Sequence, residues 1–487
     1  MAKKITNKKI AKNLILSISA QAISVLVSFV MGFIVPKFID ELQYSYWQTY
    51  LLYVGYVGIL HFGLIDGLVL RYSQYDYDEL DKPRMRSQFQ LLLTFHATLT
   101  IISCIIAACF FDIITKEIII LVACGIVTKN VYTYTSYTIQ ITNRISKYVV
   151  LVISQRVSYA VIVIILLLSG VNDFYWYCIA DLLGDVVSIS FGACFNRGLY
   201  FGKGLPFKEC FKEAWVNISA GIILTIAYYA STLLVGGAKM MIQWRWDTLV
   251  FGQVSFSFSV SNIFLTFVGA ISVVLFPSLK RMDEEDLPDV YTKIRNAISP
   301  ILFFAMILYF PGCWILEKWL PNYTDSLVYL GILLPIIIFS SKVNLLTNNY
   351  LKAYRKEKLM LVINVASVAV GMAVFAIGAY VLNSLDFVLY ALVAVIMLRS
   401  IVSEIVVTRI IKKNITLDFI IELVMTIIFI AAVRYLSRWW ACLVYAIALV
   451  VYAIIYRKSI VALFHTVLNL LKRSKPKEST PDNSENK

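Results

Sequence analysis

Apolar runs of about 20 residues or more recur along almost the whole chain, separated by short polar or basic segments. Each run is long enough to cross the hydrocarbon core of a bilayer as a helix. Fourteen such runs are centred near residues 25, 58, 99, 129, 159, 186, 228, 263, 304, 338, 370, 399, 426 and 448. This periodicity predicts an all-α polytopic membrane protein with fourteen transmembrane helices and no soluble domain. The polar ends are a lysine-rich N-terminus and a tail beginning "KRSKPKEST" after a short segment, Ser459 to Leu471, with the pattern of a surface amphipathic helix. The tail has too few apolar residues to bury a core and is expected to be disordered.

Basic residues fill every second connection. The N-terminus carries Lys3, Lys4, Lys8, Lys9 and Lys12, and the same side continues with Arg71, Lys82, Arg84 and Arg86, then Arg144 and Lys147. Further along it holds Arg197, Lys203, Lys208 and Lys212, then Lys280, Arg281, Lys293 and Arg295. Lys352, Arg355, Lys356 and Lys358 follow, and Arg409, Lys412 and Lys413 close the series. The alternate connections are assigned only Lys37, Lys116, Lys239, Arg245, Lys318, Arg434 and Arg438. Basic residues accumulate on the cytoplasmic side of membrane proteins, so an even number of spans with both termini cytoplasmic preserves the alternation. The net charge of +14 is then an orientation signal and an attraction to anionic lipid heads. A nucleic-acid surface would need a basic face on a polar domain, and the sequence provides none. The first run follows five lysines, is about 25 residues long and lacks a small-residue cleavage site, so it reads as a retained helix.

The composition, 60% hydrophobic and 15% charged, agrees with this class. Eight cysteines lie almost all within spans and form no CxxC or Cys/His spacing, and three scattered histidines suggest no metal site. No cofactor motif is present. The nearest approach to a phosphate-binding loop, "GLYFGKGL", has the wrong glycine spacing and places Gly204 where a Ser or Thr is required. No enzyme is therefore expected, and any transport would draw on an ion gradient or on the gradient of the substrate itself.

The two halves are related. "TIQITNRISKYVVLVISQ" around the fifth helix has a counterpart in "NYLKAYRKEKLMLVINVA" around the eleventh, and "KNLILSISAQ" opening the first corresponds to "VNISAGIILT" in the seventh. The offset stays between 204 and 211 residues, which is six helices. An even repeat keeps the same membrane orientation, so the copies form a parallel repeat about an axis along the membrane normal. The expected organisation is a six-helix lobe over 1–200, a second over 201–414, two appended helices over 415–458, and the amphipathic segment and tail over 459–487.

Four cations break the apolar pattern: Lys129, Arg156, Lys342 and Arg399. A cation at bilayer depth costs a few kcal/mol or more unless it faces a polar cavity or a partner. Lys129 and Arg399 fall near the middle of their helices, whereas Arg156 and Lys342 fall nearer the cytoplasmic ends. Three readings follow. Either the four line a lumen and bind an anionic substrate, or they pair with buried acids, for which Asp181 and Asp185 (beside Lys129 or Arg156), Glu404 (beside Arg399) and Asp66 are the candidates, or Arg156 and Lys342 snorkel to the cytoplasmic interface. Asp247 has the position of a helix N-cap. Among the many aromatics, Tyr53, Tyr56, Tyr132 and Tyr134 are the candidates for lumen-facing rings that stack on sugars, against a purely structural role.

At this point the chain resembles the multidrug/oligosaccharidyl-lipid/polysaccharide exporter superfamily and, within it, the bacterial polysaccharide flippases of the Wzx type. The resemblance is carried by "QAISVLVSFVMGFIVPKFI" with "YSYWQTYLLYVGYVGILHFGLIDGLVLRYSQY", by "LFPSLKRM", and by "NNYLKAYRKEKLMLVINVASVAVGMAV", and it spans roughly residues 10 to 460. It implies a flippase in the bacterial cytoplasmic membrane. Such a protein moves undecaprenyl-pyrophosphate-linked oligosaccharide repeat units to the outer leaflet by alternating access, for capsule or exopolysaccharide synthesis. Membrane lipids, a polysaccharide polymerase and glycosyltransferases would be its partners. The drug:cation antiporters of the same superfamily and a lipid II flippase are the alternatives. The antiporters typically carry a carboxylate deep in the first helix, where this chain has only Gln21.

Overall fold

The computed structural model describes residues 19–279, 282–283, 285–413, 416–457 and 460–461. Apart from 460 and 461, the predicted amphipathic segment and tail lie outside the described residues, as do the N-terminal lysines.

Helices occupy all fourteen predicted positions. They are α1 (Ser19–Phe38), α2 (Glu41–His61 and Leu64–Tyr72), α3 (Lys82–Phe110), α4 (Ile113–Ile141), α5 (Ile145–Leu168), α6 (Phe174–Phe195) and α7 (Phe207–Arg245). After these come α8 (Thr248–Leu279), α9 (Leu287–Trp319), α10 (Pro321–Leu333 and Ile336–Ala353), α11 (Glu357–Val381), α12 (Leu385–Ile411), α13 (Thr416–Tyr435) and α14 (Arg438–Ile455). Ten of them are long and apolar enough to span a membrane, and the bent pairs α2 and α10 bring the number to twelve. The remaining two, α4 and α13, are 29 and 20 residues long and hold buried charge clusters. The chain is a multi-pass, all-helical membrane protein; among the described residues there is no strand.

The helices divide into two compact units. One comprises the described parts of Met1–Arg281 and Cys313–Ile410, the other those of Met282–Gly312 and Ile411–Lys487. In the second unit, α9 and α13 are joined by Arg295, which donates to Asp418 (2.8 Å) and Glu422 (3.1 Å). Arg295 had been assigned to a cytoplasmic loop cluster; it is instead a buried member of α9.

Two breaks shape the first unit. The arms of α2 meet at 56°, where Phe62 and Gly63 adopt left-handed backbone angles (φ 51° and 89°) that no continuing helix uses. The His61 ring caps the break by accepting from the Gly63 amide (3.1 Å), and the Asn130 amide on α4 holds the Val57 carbonyl (3.1 Å). The arms of α10 meet at 51° at Pro335, which lacks the N–H needed to continue the ladder. The second arm then widens into a π-helical stretch, Lys342–Thr347. Asp247 caps α8 as expected, accepting from the Leu249 amide at 3.1 Å.

The second arm of α2 crosses α7 at backbone contact. A Cβ on Gly67 would collide with the Asn217 carbonyl, and one on Gly221 with the Gly63 carbonyl and the Gly67 amide. Small residues at such crossings let helices approach where lipid supplies no hydrophobic drive. Polar groups reinforce the crossing: Arg71 donates to Glu213 (2.6 Å) and to Asn217, and the Tyr72 hydroxyl donates to Glu213 (2.8 Å). Around this arm Leu64, Ile65 and Leu68 pack into one apolar cluster with Met85, Leu92, Tyr134 and Tyr200.

Because this crossing has no space for a side chain, Gly221→Leu is expected to lower the unfolding temperature of the detergent-purified protein by several degrees, an overpacking cost of about 1–3 kcal/mol or more. Gly312→Ala, whose Cβ would meet no atom within 4 Å, is expected to leave it unchanged or slightly raised. Equal behaviour of the two variants in a thermal-shift measurement would contradict the close crossing.

Candidate functional site

Asp181 and Asp185 are one turn apart on α6 and therefore share a face. Both reach Lys129 on α4: its ammonium lies 2.8 Å from a carboxylate oxygen of each. The Tyr50 hydroxyl donates to Asp181 at 3.0 Å, and the Gln155 amide donates to Asp185 at 3.2 Å. Two carboxylates and two neutral donors thus enclose a single cation, and Lys129 is held among helices α2, α4, α5 and α6.

Lys342 is fully buried on the second arm of α10 and pairs with the equally buried Glu404 on α12. Glu404 had been considered for Arg399, five residues before it on the same helix. Five residues turn a helix by roughly 140°, so the two side chains project to different sides. The cation at this carboxylate is Lys342, the first residue of the π-helical stretch, and not Arg399.

Arg399 has no acid within ion-pair distance among the described residues. Its guanidinium donates to the Ser231 hydroxyl (2.7 Å) and carbonyl (3.3 Å) on α7, while its buried Nε finds no acceptor. Arg399 lines a cavity of about 970 Å³ enclosed by α2, α4, α7, α8, α10, α11 and α12. The cavity wall is mixed: apolar side chains predominate, and Gln48, Ser259, Asn262, Asn344, Asn348 and Asn364 set polar groups among them. Along α7 the lining runs from Leu224 to Lys239, about 22 Å at the helical rise. The space therefore traverses much of a bilayer's thickness.

Two further cations reach the cavity that the sequence reading had placed in loops. Lys239 lies six residues inside the C-terminal end of α7, about 9 Å from it. It has no carboxylate partner among the described residues; its ammonium is 5.7 Å from the ring centre of Phe251 and 5.6 Å from that of Phe258. Lys352 lies at the end of the second arm of α10. Asp66 is the sole carboxylate among the described lining residues. Asp66 accepts from the Thr225 hydroxyl and has no cation within ion-pair distance. Arg71, also five residues along its own helix, turns instead toward Glu213. Asp66 is thus not the ion-pair partner expected from sequence.

The remaining expectations divide. Arg156 is exposed on α5 and is not among the lining residues, so the structure does not gather the four cations into one lumen. Of the four tyrosines singled out, Tyr56 lines the cavity. Tyr134 is fully buried and donates to the Met85 carbonyl (2.8 Å), Tyr53 bonds Gln243 (2.6 Å) and Trp244 (2.8 Å), and Tyr132 is not among the lining residues. Tyr137, Tyr228 and Tyr229 line it instead. A signal for Lys239 was present: the apolar run of α7 continues beyond it to Trp244, a residue type that marks the membrane interface.

No protein-family model matches the chain, and no curated protein sequence matches it. Solved structures share its fold. The lipid II flippase MurJ in an inward closed conformation aligns with a TM-score of 0.67 at 12% identity, covering 92% of this chain and 100% of that one. An inward-facing multidrug resistance MATE family transporter of the MOP superfamily aligns with a TM-score of 0.64 at 12% identity, covering 82% and 98%. A MATE crystal structure in complex with MaL6 aligns at 0.54 and 13% identity, covering 83% and 96%. At these identities the likeness is one of fold.

The pairing geometry predicts opposite responses to removing charge. Lys342→Met strands a buried carboxylate and is expected to destabilise the protein by about 3–5 kcal/mol, with most of the loss recovered in Lys342→Met/Glu404→Leu. Arg399→Met strands no acid and is expected to change stability little. Thermal unfolding of the three purified variants checks this; a double variant as unstable as the single one would contradict it.

Proposed function

We propose that the protein is a lipid flippase that carries a polyprenyl-pyrophosphate-linked oligosaccharide across the bacterial cytoplasmic membrane for surface-polysaccharide synthesis. The observation that carries this reading is the cavity: a space with polar side chains in its wall inside apolar helices, lined by Arg399 and Lys239, neither of which has an acid partner among the described residues. A pyrophosphate head and its sugars cannot cross dry hydrocarbon. A polar lumen replaces their hydration, and unpaired cations replace it best for phosphate through charge-assisted hydrogen bonds. Arg399 has the chemistry for this role, since its forked guanidinium suits phosphate oxygens and it lines the cavity without an acid partner among the described residues.

In this reading, residues 1–200 and 201–414 act as two lobes that rock about the cavity, both termini are cytoplasmic, and the polyprenyl tail remains in lipid. Lys129 and Lys342 hold helices together through their carboxylates and do not receive substrate. The fold shared with a lipid II flippase supports the reading. The fold shared with multidrug transporters is equally real, but a surplus of positive charge is a poor host for organic cations. Peptidoglycan lipid II has the same pyrophosphate chemistry and is the neighbouring alternative; complementation of cells depleted of their lipid II flippase separates the two.

The test is transport in proteoliposomes containing a fluorescent polyprenyl-pyrophosphate oligosaccharide. Wild type is expected to move it between leaflets, and Arg399→Gln to slow it by about tenfold or more, the loss of one charge-assisted contact. Movement by Arg399→Gln at the wild-type rate, with correct folding, would remove Arg399 from the site.

A further inference from the structure

Helix α7 acts as a ruler along the cavity. Thr225 meets Asp66, Ser231 meets Arg399, and Lys239 lies beyond. At the helical rise Arg399 is held about 9 Å from Asp66 along the axis, and Lys239 about 12 Å further. The anion-binding group and the carboxylate are therefore separate, with space between them.

Tyrosines border that space. The rings of Tyr228 and Tyr229 lie edge to face with centroids 5.1 Å apart, and Tyr56 is 6.2 Å from Tyr229. Tyr228 is 64% exposed although it lies well inside a membrane helix. The hydroxyls of Tyr137, Tyr228 and Tyr229 hydrogen-bond no described group, whereas that of Tyr56 donates to the Thr232 carbonyl (3.2 Å). Glycines make room for two of these rings: a Cβ on Gly58 would collide with the Tyr229 hydroxyl, and one on Gly236 with that of Tyr56. Asp66 Oδ2 accepts from Thr225, and Oδ1 accepts from no described residue.

We propose that the stretch between Asp66 and Arg399 is a carbohydrate subsite, which rests on the flippase reading above. Tyr137, Tyr228 and Tyr229 stack on sugar rings, and Asp66 accepts sugar hydroxyls. A flat aromatic face meets the C–H face of a pyranose, and a phenol or carboxylate with no protein partner satisfies hydroxyls that leave water. Aromatics beside a carboxylate also suit organic cations, but Arg399 and Lys239 in the same cavity oppose a cation. A neutral polyol is the ligand class that fits both ends. The chain thus selects its lipid by glycan as well as by phosphate.

Binding to the full-length protein in detergent tests this with three probes: bare undecaprenyl pyrophosphate, glycosylated undecaprenyl pyrophosphates extracted from the producing cells, and tetraphenylphosphonium. Wild type is expected to bind the glycosylated lipids about tenfold or more tightly than the bare lipid, a difference of about 1.4 kcal/mol. Asp66→Asn and Tyr228→Ala are expected to erase that preference while leaving the bare lipid unaffected; Arg399→Gln is expected to weaken both. Asp66→Asn retains the Thr225 contact, and Tyr228 is exposed, so both variants should fold. Binding of both lipids without preference, or equal weakening of both by Asp66→Asn and Tyr228→Ala, would overturn the subsite alone. Failure of wild type to bind either lipid would overturn the flippase reading itself. Asp66-dependent binding of tetraphenylphosphonium would assign the aromatic pocket to cations and overturn the proposal.

Discussion

A charge buried in hydrocarbon must find an opposite charge or water, and the arrangement of this protein follows from that constraint. Lys129 is enclosed by two aspartates, Lys342 by Glu404, and Arg295 by Asp418 and Glu422. Each set joins different helices, so these pairs fix helix positions as well as neutralise charge. Arg399 and Lys239 lack such acids among the described residues and face the cavity. The constraint therefore sorts cations into those that join helices through acids and those that face the cavity without one.

Backbone geometry prepares the cavity. The left-handed break at Phe62–Gly63 sends the second arm of α2 onto α7, where glycines allow backbone contact. Beyond the break at Pro335, the π-helical arm of α10 carries Lys342, paired with Glu404, and Asn344 and Asn348, which line the cavity. Because α7 passes from the Gly221 crossing to Lys239, one helix carries the tight contact, Arg399's serine partner, two tyrosines and a lumen cation.

Much of this was legible in the residues. Runs of about 20 apolar residues located the positions of α1 to α14, since hydrocarbon thickness sets a length that sequence displays directly. Lys129, Lys342 and Arg399 are recognisable in the sequence as cations inside apolar runs, and Asp181 and Asp185 as candidate acids for Lys129; the structure places both within 2.8 Å of its ammonium. The partner of Glu404 was misread because proximity in sequence was taken for proximity in space; helical geometry separates Arg399 from it. Lys239 was counted with a loop although α7 extends six residues beyond it, and Lys352 was counted with a basic turn although it is still in the second arm of α10. The lining tyrosines could not be chosen from sequence, because which ring enters the cavity depends on the bend of α2 and on glycines 58 and 236 making room.

The central claim is that Arg399, and not the paired cations, receives an anionic head group. An electron cryo-microscopy structure with undecaprenyl pyrophosphate bound tests it most directly. The account predicts phosphate density within hydrogen-bond distance of the Arg399 guanidinium, with Lys129 and Lys342 still on their carboxylates. Phosphate density at Lys129 or Lys342 with those carboxylates displaced, and none at Arg399, would contradict it.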